Sequence, residues 1–129
     1  MSEERFALAR SQFERALARL HEALEQNETE MVRDALIQRF EFTYELGWKS
    51  MFYWLRAQKE KVPELVRQVI QAAFRAELIG DAQLWERIKD YRDETRHTYN
   101  EAKAIEVAAF VRQDAIHAFD ALLERLKAL

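Results

Sequence analysis

The sequence predicts an all-α domain, an up-and-down four-helix bundle with one additional short helix. Three observations predict it. Apolar residues recur every three or four positions through most of the chain. Ala, Leu, Glu, Arg and Gln dominate, and all favour helix. Two glycines and one proline are too few for the turns of an all-β fold. With 49% apolar and 33% charged residues, the 129 residues should form one globular domain, 1–129, with a real core.

The first helix is expected from about Glu3 to Glu25, where Phe6, Ala9, Phe13, Ala16, Leu20 and Leu24 make one stripe. Asn27 and Glu30 read as a capping box that opens a long second helix, to about Lys59. Its main stripe is Val32, Leu36, Phe40, Tyr44, Trp48, Met51 and Leu55; Phe42, Leu46 and Tyr53 begin a second. A helix apolar on two sides should be central. Gly47 inside it costs about 1 kcal/mol relative to alanine, which points to close approach by a neighbour. After a connection over 59–62, Pro63 suits the first turn of a third helix carrying Val66, Val69, Ile70, Ala73 and Leu78. Gly80 should end it in the left-handed conformation, and Asp81 should cap the fourth. In that helix Leu84, Ile88, Tyr91 and Thr95 face one way, and an end or bend falls between Thr95 and Asn100. Asn100 should cap a fifth helix from Glu101 to about Lys127. Short connections make sequential helices antiparallel neighbours.

Cysteine is absent, which excludes disulfides and thiolate metal sites and fits a cytoplasmic protein. The acidic start, Met1-Ser2-Glu3-Glu4, is unlike a signal peptide, and no apolar run approaches the roughly 20 residues of a membrane span. The net charge of −3 offers no general attraction to nucleic acid.

Chemistry concentrates in Arg92-Asp93-Glu94-Thr95-Arg96-His97 and Tyr99. A guanidinium can hold a phosphate bidentately, and an imidazole can move a proton near neutral pH. Together they point to phosphodiester chemistry without a metal. Arg92, Arg96 and Tyr99 share a helical face. Asp93 lies four residues before His97 and is placed to orient it. His97 lies about 140° from Arg92 on an ideal helix, so the two reach one ligand only if the helix unwinds or two subunits contribute. On spacing alone, most such clusters are a solvated, charged helix end.

Other patterns carry less. Glu94-x-x-His97 and Asp114-x-x-His117 have di-iron spacing but lie off the apolar stripes, so neither metal nor cofactor is expected. The aromatic set Phe40, Phe42, Tyr44, Trp48, Phe52, Tyr53 and Trp54 could stack on a base but is far more often core, although Tyr53 and Trp54 exceed what one small core needs and an exposed remainder would point to a partner surface. Residues 56–75 carry Arg56, Lys59, Lys61, Arg67 and Arg75 against Glu60 and Glu64, a weak basic patch and the only one apparent along the chain.

Two stretches together resemble a known family. Arg39-Phe40-Glu41-Phe42-Thr43-Tyr44-Glu45-Leu46-Gly47-Trp48-Lys49 resembles the signature of nucleotidyltransferase substrate-binding proteins, helical bundles of the HEPN superfamily. The arginine-x4-histidine-x-tyrosine set of Arg92, His97 and Tyr99, preceded by Asp81 to Trp85, is similar to the motif of HepT-type toxins. Gly47 stands where alanine is usual, and Asp93 where asparagine is common. The resemblance spans about residues 5 to 125. It implies a homodimer with the motifs meeting between protomers and a cognate nucleotidyltransferase as partner. It further implies metal-independent RNA cleavage by Arg92 and His97, supported by Asp93 and Arg96. Silencing would follow from transfer of AMP to Tyr99. Its alternative is a non-catalytic subunit that presents substrate to the nucleotidyltransferase.

Overall fold

The apolar stripes become buried faces in a computed structural model that describes residues 2–129. Helix α1 spans Ser2–Leu24 and α2 spans Glu30–Ala57. They form a long antiparallel pair, with Phe13 against Gly47 and Arg19 against Phe42. Helix α3 is Val66–Arg75 and α4 is Ala82–Glu94, followed by a 3₁₀ turn at Thr95–His97. Helix α5, Glu101–Phe110, runs through a π-helical segment, Val111–Ala115, into α6, Ile116–Lys127. The all-helical bundle is therefore as expected, and α2 is its centre, packed against α1, α3, α4, α5 and α6.

Phe119 is the hub of the core. Its ring lies 6.3 Å from Phe13 edge-on, 6.1 Å from Phe40 and 5.6 Å from Trp85. All four rings are buried, so α1, α2, α4 and α6 meet on one aromatic cluster. Trp85 reaches this cluster because Gly47 leaves room. A β-carbon at Gly47 would stand 3.1 Å from Phe13 and 3.5 Å from Trp85, the close approach expected there.

Asp81 and Asn100 cap α4 and α5, accepting from the amides of Leu84 and Lys103. Several expected boundaries are corrected. Thr29, not Asn27, caps α2, accepting from the Val32 amide at 3.1 Å. Pro63 precedes α3 rather than lying in it; Leu65 is the residue before the first turn. The left-handed residue after α3 is Glu77 (φ 64°), not Gly80, and Lys59 (φ 64°) plays the same part after α2. In both places the following amide closes a six-residue ring, Leu78 to the Ala73 carbonyl and Glu60 to that of Leu55. This is the Schellman geometry, and at Glu77 it tucks Leu78 into the core. The single fifth helix expected to Lys127 is interrupted by the π-helical segment. Val107, Val111, Ala115 and Phe119 are all fully buried at strict four-residue spacing. An α-helix would rotate each by about 40° relative to the last, and the wider i→i+5 turn absorbs that drift.

Candidate functional site

The end of α4 is set by a threonine. Thr95 is buried, and its hydroxyl lies 2.6 Å from the Arg92 carbonyl and 3.2 Å from Oε2 of Glu41 on α2. A hydroxyl bonded to the preceding turn competes with the helix's own amide pattern. The chain tightens into the 3₁₀ turn there, and Thr98 repeats the device on the Thr95 carbonyl at 2.8 Å. The bend expected between Thr95 and Asn100 is this turn.

Arg92 leaves α4 toward α2. Its Nη1 donates to Thr95 Oγ1 at 3.1 Å and pairs with Glu41 Oε2 at 3.2 Å. Its Nε lies 3.9 Å from Glu45 Oε1 and, though buried, has no hydrogen-bond partner among the described residues. One cation therefore faces two carboxylates, and the local balance is negative. Below it Tyr44 is buried, and burial, with the Glu45 carboxylate adding to it, pushes its phenol well above the ordinary value. That phenol stays neutral.

His97 and Tyr99 are both exposed, with rings 6.2 Å apart edge-to-face. Arg96 is exposed beside them. The turn does not bring His97 to Arg92. Three α-helical steps and two 3₁₀ steps place the two residues roughly 180° apart. Asp93 is not the orienting partner expected for His97. Its carboxylate takes Lys89 Nζ at 3.1 Å, one turn upstream, because past Thr95 the backbone no longer has the four-residue register that would present His97 to it.

Glu41, Glu45 and Thr95 were not foreseen as parts of this site. One signal was available. Glu41 and Glu45 are like charges one turn apart on α2, an arrangement that repels unless a cation faces both. Among the described residues, no three His, Cys, Asp or Glu side chains are grouped to hold a metal. The carboxylates of the two Glu/Asp-x-x-His patterns face cations instead, Glu94 with Lys103 at 3.6 Å and Asp114 with Arg87 at 3.7 Å. A cavity of about 260 Å³ between α4 and α6 is lined mainly by Leu78, Leu84, Trp85 and Leu122, away from Arg92 and His97. Among the described residues no helix is long and apolar enough to cross a membrane.

Residues 8–128 match the family model described as nucleotidyltransferase substrate binding protein like. The chain is 34% identical over 105 residues to a probable ribonuclease HepT of Haemophilus influenzae, covering 75% of this chain and 71% of that protein. Among solved structures, a Thermus thermophilus protein is 34% identical, with a TM-score of 0.78 over 89% of this chain and 98% of that one. A Haemophilus influenzae protein, described as revealing the fold of a substrate binding domain of a nucleotidyltransferase, is 27% identical; its TM-score is 0.71 over 95% and 96%. A chain from a mutant toxin–antitoxin MntA–HepT structure shares the fold, with a TM-score of 0.80 over 98% and 99% at 14% identity.

Proposed function

We propose, because the chain belongs to the nucleotidyltransferase substrate-binding-protein-like family, that it is a HepT-like ribonuclease toxin subunit held in check by a cognate nucleotidyltransferase. What supports this reading is the complete Arg92, His97 and Tyr99 set in the sequence, with His97 and Tyr99 exposed at and just beyond the 3₁₀ turn that follows α4. Arg92 holds the scissile phosphate and stabilises its developing charge. His97 takes the ribose 2′-hydroxyl proton, or gives one to the leaving oxygen. No step uses a metal. Incubating the purified protein with cellular RNA, with and without EDTA, tests it. Cleavage unaffected by EDTA is expected; no cleavage, or cleavage that needs a divalent ion, defeats it.

Because Arg92 and His97 leave one protomer on opposite sides, the working site is a composite, with Arg92 meeting His97 of the partner subunit. The chain is therefore expected to be a homodimer. Light scattering at micromolar concentration checks this, and a monomer would leave the composite site without support.

Tyr99 is the site of silencing. Its phenol oxygen attacks the α-phosphorus of ATP on the partner enzyme, a new P–O bond forms, the α–β bond breaks and pyrophosphate leaves with the phenol proton passed to solvent. At 86% exposure the ring is open to a second protein. The added phosphate would pair with Arg96 or Arg92 and compete with RNA. Intact mass after incubation with the partner and ATP should rise by one AMP for the wild type and not for Tyr99→Phe. Equal gains in both would move the modification elsewhere.

A second reading, a non-catalytic subunit that presents substrate to the nucleotidyltransferase, is favoured by one observation. Arg92 already faces Glu41 and Glu45, so in a lone protomer it is not free for a phosphate. Absence of cleavage by a dimer that still binds the partner would select it.

A further inference from the structure

We infer that the outer groove between α1 and α2 binds single-stranded RNA, as a track separate from Arg92. One stretch of about 440 Å³ is lined by Gln12, Arg15, Arg19, Phe42 and Leu46. An adjoining stretch of about 380 Å³ shares Gln12 and Leu46 and adds Arg5, Leu8, Lys49 and Tyr53. The two adjoin at Gln12 and Leu46.

The groove's charged lining is cationic. The net charge is −3, and Arg33, Arg39, Arg92 and Arg112 are among the cations that stand against carboxylates, whereas among the described residues others outside the groove, such as Arg75 and Arg96, do not. No carboxylate lines either stretch. None of Arg5, Arg15, Arg19 and Lys49 is in an ion pair among those found for the described residues. Glu64 appears only beyond the far end, near Arg5 and Arg56.

The floor is apolar. Leu46, Phe42 and Tyr53 are half-buried, and Leu8 is 57% exposed. The Arg19 guanidinium lies over the Phe42 ring at 5.2 Å, a planar cation with its outer face open to stacking. Unpaired cations above apolar and aromatic surface complement a chain that has both phosphates and exposed base faces. A duplex hides its bases and would use only the charges. Arg5 to Arg19 covers roughly 21 Å of helix, room for several nucleotides.

The groove also adjoins Arg92. Phe42 and Leu46 each follow by one residue the carboxylates facing Arg92, Glu41 and Glu45, and so point about 100° further round α2. A strand lying in the groove is one helix face from the arginine. The choice of RNA over DNA rests on the ribonuclease reading; the chemistry of a single-stranded polyanion does not.

The test is fluorescence anisotropy with labelled oligouridylate, on the full chain carrying Arg92→Ala so that the probe survives. Binding should fall about 50-fold between 50 and 200 mM salt if four phosphates are held. Arg15→Glu with Arg19→Glu should weaken binding tenfold or more and flatten that slope. Phe42→Leu should cost about fivefold or more through lost stacking. Both arginines are exposed, so circular dichroism should show the fold unchanged. Unaltered affinity after charge reversal, or duplex RNA bound as tightly as single strands, overturns the inference. So does loss of the dimer in the reversed variant, which would show that a second copy occupies the groove. Equal binding of the deoxy strand would reassign the track to single-stranded nucleic acid at large and overturn the RNA assignment. Cleavage plays no part in these readings, so a non-catalytic chain can still pass them, and a catalytic chain can fail them.

Discussion

Arg92→Ala is expected to lower RNA cleavage by about 10²–10³-fold, and His97→Ala by about 10²–10⁴-fold, each with the fold intact. On the proposed mechanism the first loses the fixed cation at the phosphate and the second loses the proton carrier. Neither is core. His97 is exposed, and the Arg92 side chain is about one-third exposed at 32%. Its pairs with Glu41 and Glu45 are worth only about 0–1 kcal/mol where water screens them. The sharper measurement mixes the two dead variants. If Arg92 of one protomer works with His97 of the partner subunit, each mixed dimer regains one intact site and cleavage returns. If both act from one chain, mixing restores nothing. Survival of cleavage in either single variant removes that residue from the chemistry.

Phe119→Ala should be the most damaging core change, at about 3–5 kcal/mol of unfolding free energy. The ring is fully buried and touches aromatic side chains from three other helices. Edge-to-face and stacked contacts add to its burial. Phe74→Ala makes the contrast, since that ring is 48% exposed. Urea denaturation should show a large drop in midpoint for the first and a small one for the second. A loss below about 1.5 kcal/mol at Phe119 would mean that the cluster collapses onto the gap and is not the hub of the bundle.

What the sequence disclosed depended on whether the physics was local. The helix stripes, the Asp81 and Asn100 caps and the break after Thr95 all rest on residues within one or two turns, and the tight approach at Gly47 was legible from the glycine itself, though not from its neighbours Phe13 and Trp85. Asn27 and Thr29 offer the same capping chemistry two positions apart, and only the path of the chain chose between them. Gly80 was the obvious left-handed residue, yet Glu77 takes that role because Leu78 must enter the core. Packing overrode conformational preference. The π-helical segment hid because three- and four-residue spacings look alike until several fours follow in a row. Arg92, His97 and Tyr99 were legible as a motif. The carboxylates facing Arg92 were not, since they lie some fifty residues earlier. The basic groove escaped for the same reason: its cations are split between α1 and α2, and no window along the chain contains them together.

The Glu41–Arg92 pair has a consequence for how any phosphate arrives. The guanidinium is not a vacant receptor; it already holds a tethered anion. Binding there is an exchange reaction, in which the incoming phosphate must outcompete a carboxylate anchored to the same molecule. A tethered competitor acts at an effective concentration of millimolar order or higher and cannot be diluted away. At about 0–1 kcal/mol the pair lowers the affinity of a small free phosphate by no more than about fivefold. A polymer anchored elsewhere on the surface meets the same arginine on equal terms, because it too is tethered. The ion pair thus biases the site modestly toward long polyanions, whose own tether offsets that small cost.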